Sequence, residues 1–221
     1  MIQNIILILQ KYGLIFAQGL WNTVWLSLVS VLLGTILGVL IALGKMSGVK
    51  VLCKVTGIYI EIIRGTPMLL QLYFFWLALP SMIPDIPDIV CILIALVINA
   101  SAYIAEIIRA GIQAVDAGQT EAALSLGMDR RNVMTKIIFP QAVKNILPAI
   151  GNEMIALLKE TSVAGYVAVV DLTRAGNLVR NNTYDAFNPL MAVALTYLLL
   201  VVLMSRALKK LERRLAKSDK R

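Results

Sequence analysis

The sequence predicts an all-α integral membrane protein with five transmembrane helices and a polar helical loop on one face. Three observations lead there. The chain is 59% hydrophobic with a mean hydropathy of +0.80, more apolar surface than a soluble domain of this size can bury, so lipid must solvate much of it. Apolar runs long enough to cross a bilayer occur five times, at about residues 19–44, 55–79, 87–110, 141–158 and 187–208. With the N-terminus placed outside, 16 of the 21 Lys and Arg fall on one side, which the positive-inside rule assigns to the cytoplasm.

The elements follow in chain order. Residues 1–18 lack the basic lead of a cleaved signal and are too short an apolar run to span, so they are expected to be a retained interfacial or helix-leading segment, with a signal anchor as the less favoured reading. In the first span Ser30, Gly34, Gly38 and Ala42 recur every four residues. Such a stripe lets another helix approach closely, within one subunit in the favoured reading or across a dimer in the other. "GVLIALGKMS" resembles a phosphate loop only superficially: Val39 and Met46 stand where glycine and a hydroxyl are needed, and the setting is transmembrane.

The second span contains Arg64-Gly65-Thr66-Pro67. Pro67 disfavours helical geometry at Thr66 and frees carbonyls, while Gly65 permits a bend, and transporter sites are often built at such interruptions. The turn "LPSMIPDIPD", acidic at Asp85 and Asp88, falls outside as the charge rule requires; the 159–186 loop, with Lys159, Arg174 and Arg180, fits less well. The basic tail, 209–221, is cytoplasmic, and the net charge of +8 is therefore mostly topological and needs no nucleic acid.

The cytoplasmic loop, about 112–140, is read as two short helices with a hinge. Asp116 and Gln119 have capping-box spacing, Gly127 closes a helix of about 117–126, Asp129 caps a second one carrying Arg130, Arg131 and Lys136, and Pro140 sits in the first turn of the next span. Ala122 and Ala123 beside Glu121 make a slim knob suited to a partner's groove; an amphipathic helix lying on headgroups is the other reading.

Polar groups within a bilayer are costly and usually face a bundle interior or a water-filled path. Gln71, Asn99, Asn152 and Glu153 all fall near mid-membrane depth; Asn99, Tyr103 and Glu106 share one helix face, and Glu153 and Glu160 share another, two turns apart. Asn99 is either interhelical glue or a ligand contact. Glu61 with Arg64, and Glu106 with Arg109, are expected as structural or gate-forming i,i+3 pairs. Glu153 is the favoured substrate-facing group, because an intramembrane carboxylate needs a cation such as an amino-acid ammonium. There is no histidine, and Cys53 and Cys91 lie apart, so metal sites, disulfides and His-based catalysis have no support. A membrane enzyme lacks its nucleophile and base, and a passive channel lacks its filter sequence.

Glu121-Ala122-Ala123, three residues, Gly127, nine residues, Ile137, then Phe139-Pro140 resembles the EAA motif of ABC-importer permease subunits, with Phe139 in place of the usual leucine. The segments "EIIRGTPMLLQL", "AEIIRAGIQAVDAGQTEAALSLGM" and "LPAIGNEMIALLKETSV" sharpen the likeness to the polar-amino-acid permeases, over about residues 17–208. The resemblance implies a type I importer permease fold in a bacterial cytoplasmic membrane. It also implies pairing with a second permease, identical or homologous, two ATPase subunits at the cytoplasmic face and an external amino-acid-binding protein. Glu121, Ala122, Ala123 and Gly127 would form the coupling helix, Pro140 would pass its motion into the fourth span, and the chain would hold no cofactor, ATP and Mg being bound by the ATPase. The cargo would be a polar amino acid: arginine, histidine or lysine if Glu160 joins Glu153 in one cavity, with glutamine as the alternative.

Overall fold

Small residues decide how the bundle begins. In the computed structural model, which describes residues 2–167 and 169–217, helix α1 (Ile2–Met46) lies along α4 (Asp88–Gln113) through the glycine stripe. A Cβ built on Gly34 would stand 2.7 Å from the Ala100 Cβ, and one on Gly38 would stand 3.0 Å from Ser101 O. The stripe is thus a contact within one subunit. The Ala100 and Ser101 that face it are themselves fully buried, and this close approach gives dispersion contacts in place of the hydrophobic drive that lipid removes.

The N-terminal segment takes the helix-leading form of the expectation rather than the interfacial one. It is helical from Ile2, breaks only at Tyr12 (φ −116°, ψ 16°), and joins the first span as one element. Ile5, Ile8 and Phe16 share a face that packs on α8 (Leu172–Thr183) and α9 (Asn188–Lys217), against Leu172, Val179 and Val193. With Tyr12 packed against the same cluster, these residues follow one another at steps of three or four, which makes the face.

The second expected span is two helices. α2 (Lys50–Gly65) and α3 (Met68–Met82) meet at 107°. Pro67 forces Thr66 into extended geometry, φ −117° and ψ 144°, and has no N–H to continue the helix. Among the described residues α1, α4 and α9 are each long and apolar enough to cross a membrane alone, and α2–α3 qualifies as a broken span. The remaining expected span, 141–158, is α7 (Phe139–Glu160), 22 residues or about 33 Å of helix; carrying Lys144, Glu153, Lys159 and Glu160, it is not among the helices apolar enough to cross a membrane alone.

α4 is the axis of the molecule, packed by α1, α2, α3 and α7, and the main core runs along it through Ile92, Ala95, Leu96, Ala100 and Ile104, with Leu26, Leu72 and Leu157 from neighbours. The connection after α7, expected as a loop, instead holds a 3-10 turn (Thr161–Tyr166) and α8. The end of the basic tail, 218–221, including Lys220 and Arg221, lies outside the described residues.

Candidate functional site: a broken helix, a charged face and a jointed coupling segment

The α2–α3 break leaves carbonyls at the end of α2 without helical partners, and a single amide collects them. Gln71 Nε2 donates to Ile63 O (2.7 Å), Thr66 O (3.1 Å) and Thr66 Oγ1 (2.8 Å). Asn99 Nδ2 donates to Gln71 Oε1 at 3.0 Å, tying the break to α4. Both side chains are buried. Gln71 and Asn99 therefore do come together, as a staple for the bend, and among the described residues neither hydrogen-bonds to Asn152 or Glu153. Asn99 Oδ1 remains a buried acceptor without a protein partner, a group that is costly to leave unpaired.

The charged candidates lie apart from this staple, on α2, α4 and α7, with α4 packed against each of the other two. The Arg64 guanidinium lies 5.2 Å from the centre of the Tyr103 ring, a cation–π contact. Arg64 is also near enough to act electrostatically on both Glu153 and Glu106, and Glu160 acts on Glu153. Glu153 and Glu160 are half-buried and Asn152 is exposed. Glu106 and Arg109 form the expected pair, bidentate, with Nε to Oε2 at 2.9 Å, and Arg109 also reaches Gln113. The expected Glu61–Arg64 pair is not formed: Glu61 is exposed and Arg64 turns to Tyr103 instead. The i,i+3 spacing allows a pair but does not require one when an aromatic face competes. Gly65 is open on its Cβ side, so its role is the bend rather than close packing.

The 112–140 segment follows its capping chemistry with two differences. α5 (Ala117–Ser125) is capped by Asp116, whose carboxylate accepts from Gly118 N, while Gln119 N bonds the Asp116 carbonyl, so the cap forms without the reciprocal box. Gly127 is left-handed, φ +81°. Asp129 caps α6 (Arg130–Val133) through Asn132 N at 2.9 Å, and this hydrogen bond holds its carboxyl below the usual aspartate range. The second expected helix is not separate: α6 continues through a π-helical turn (Met134–Ile138) into α7. Pro140 explains the turn, because its ring and missing N–H conflict with regular α-bonding to the preceding residues, and a wider turn relieves the conflict.

The alanine pair also divides. Ala123 is 3% exposed and packs with Val133 and Ile138, whereas Glu121 and Ala122 are exposed. The exposed knob is therefore Glu121, Ala122 and the neighbouring Leu126, which is 84% exposed.

One buried group escaped the sequence reading. Asp171 is fully buried, caps α8 through Thr173 N and Arg174 N, and accepts from Tyr197 Oη at 3.3 Å. Burial pushes its carboxyl up from the ordinary aspartate value, and those hydrogen bonds pull against the rise. Thr23 Oγ1 accepts from Leu172 N, and Gly19 passes against the Asp171 backbone, so one residue links α1, α8 and α9. The signal was present as Asp-Leu-Thr-Arg, an N-cap ahead of a polar helix, but a loop between two spans did not call for a helix.

The geometry has close counterparts. The family model of binding-protein-dependent transport system inner membrane components matches residues 34–217. The arginine transport system permease protein ArtQ of Bacillus subtilis (strain 168) is 37% identical over 91% of this chain and 93% of its own length. The putative glutamine transport system permease protein GlnP of Rickettsia felis is 36% identical over the same shares. Among solved structures, a chain of an amino acid ABC transporter crystallised with histidines superposes with a TM-score of 0.90 at 45% identity, covering 93% of this chain and 96% of that one. The inward-facing MetNI methionine transporter, at 18% identity and a TM-score of 0.75, shares the fold. The chain thus belongs to the binding-protein-dependent inner-membrane permeases, and within them to the ABC importer permeases for amino acids.

Proposed function

We propose that this chain forms the translocation path of an ATP-driven importer for polar amino acids, with ATP and Mg bound and hydrolysed by separate ATPase subunits. Those subunits would dock on the Glu121–Leu126 face, a second permease would complete the path, and an external binding protein would deliver the cargo. The orientation that fits the basic residues places the N-terminus outside and the 112–140 segment and C-terminal tail in the cytoplasm.

The observation that carries this reading is continuity. From Arg130 to Glu160 the helix runs without interruption through 31 residues, about 46 Å at 1.5 Å per residue. One end adjoins the exposed coupling knob across Gly127, and the other carries Glu153 and Glu160. Tilting the coupling element therefore moves the carboxylates, which is the hinge-and-rod relation that alternating access needs. Pro140 and its π turn are the point where the rod can flex.

Glu153, on which both Glu160 and Arg64 act electrostatically, would hold an amino-acid ammonium against its carboxylate, and Arg64 would offer a cation to the α-carboxylate. The second carboxylate favours a cationic cargo, in keeping with the relative named for arginine and the transporter solved with histidines; glutamine is the neutral alternative, and relatives are named for it too. Replacing Glu153 by Gln is expected to lower uptake of arginine and of glutamine alike, whereas Glu160→Gln is expected to lower uptake of arginine alone. Equal transport of both amino acids by the wild type and the Glu153→Gln protein removes Glu153 from the site.

A further inference from the structure

An open groove of about 470 Å³ runs along the outside of the bundle, at the end that carries the coupling segment. α1 forms one wall between Thr35 and Ser47, α7 the other between Phe139 and Ile150, with Ile112 of α4 between them and Met134 of the π turn at the tip. Thr35 and Ser47 are the polar residues of an otherwise apolar lining. The volume lies in the ~300–1,000 Å³ range of small-ligand pockets. Its α1 wall is about 18 Å long at 1.5 Å per residue, close to the ~15 Å half-thickness of a bilayer core.

The lining residues Met46, Ser47, Met134, Phe139 and Val143 lie in basic sequence. The two segments that frame it, 45–54 and 130–144, hold seven basic residues and no acidic one. Lys45 also acts on Glu106, and Lys144 has a partner of its own. An apolar channel one leaflet deep, bordered by cations, matches the shape of a lipid: a chain to fill the channel and a phosphate to meet the Lys and Arg.

We propose that this groove is a specific site for one acyl chain of an anionic phospholipid, whose headgroup meets the basic segments 45–54 and 130–144. A chain seated there packs against Met134 and Phe139, the residues that open and close the π turn. The membrane thus gains a contact with the joint between the coupling segment and the substrate-facing rod. Lipid occupancy fills space that would otherwise leave the walls without packing partners, and it stiffens the joint on one side only. Only the choice of leaflet rests on the orientation proposed above; binding itself does not depend on transport.

The test uses the assembled importer, purified in detergent and analysed by native mass spectrometry after exchange into mixed phosphatidylglycerol and phosphatidylcholine micelles. The wild type is expected to retain phosphatidylglycerol in preference to phosphatidylcholine. The Val39→Phe, Val143→Phe double variant, which fills the groove from both walls, is expected to lose that adduct while still assembling with its partners. Retention without headgroup preference in the wild type overturns the proposal, whatever the variant does. So does an unchanged adduct in a well-assembled variant. A third arm removes the competing occupant: in a background with Cys53 and Cys91 replaced by Ser, the Val143→Cys protein is expected to form no disulfide between permease copies under oxidation. Efficient cross-linking there makes the groove a subunit contact and ends the lipid assignment.

Discussion

At the residue scale, the side chains that matter most here hold the backbone in place. Gln71 gives its amide to the carbonyls that the Pro67 break sets free, and the Gln71→Leu change leaves buried carbonyls unpaired. The expected loss is about 1–3 kcal/mol of stability, read as a lower melting temperature in detergent, and Gln71→Glu should fail to restore it because an ionised carboxylate cannot donate. A Gln71→Leu protein that melts with the wild type would leave the staple without energetic weight. The break itself was legible, since a proline after Gly-Thr cannot continue a helix; Gln71 as its staple was not, because depth along a span says nothing about direction around it. The same blindness explains Glu61 and Arg64, whose spacing is right for a pair but whose cation has a nearer aromatic partner.

At the element scale, the coupling segment shows how far capping rules reach. Asp116, Gly127 and Asp129 each do what their residue types dictate. The rules could not foresee that Pro140 would be absorbed by a π turn rather than mark a boundary. They also treated Ala122 and Ala123 alike, although one faces out and the other in. Ala123→Leu is expected to overpack the Val133–Ile138 contact at a loss of about 1–3 kcal/mol, seen as reduced thermal stability of the permease. Ala122→Leu should leave that stability unchanged and weaken co-purification with the ATPase; the reverse pattern would mean that the knob is misassigned. α8 was missed because its driving residue is a buried cap rather than an apolar stripe. With its carboxyl pKa raised by burial, Asp171 favours folding most fully when protonated, below the ordinary aspartate pKa of about 3.9. That contribution fades as pH rises through the higher folded-state value. Asp171→Asn keeps a good cap and should flatten the pH dependence of the melting temperature across this window. An unchanged slope would locate the dependence in another group.

At the scale of the whole molecule, the membrane architecture was the most legible feature. Hydropathy located α1, α4, α7 and α9 and ran α2 and α3 together as one, and the four-residue small-residue repeat announced the α1–α4 contact that organises the bundle. Which helices meet at α4, and that 1–18 joins the bundle rather than resting beside it, depends on contacts between distant segments that no local pattern encodes. The proposed function makes a single mechanical claim: one continuous helix from Arg130 to Glu160 would convert motion at the Glu121–Leu126 knob into motion of Glu153 and Glu160. Reconstitution of this permease in proteoliposomes with its ATPase and binding protein tests that claim directly, by comparing ATP hydrolysis and uptake of radiolabelled amino acids in the wild type and in Glu121→Lys. The account predicts hydrolysis stimulated by cargo-loaded binding protein and ATP-dependent uptake in the wild type, with both lost in a variant that still inserts and folds. Uptake that proceeds at the wild-type rate in Glu121→Lys, or without ATP at all, would contradict it.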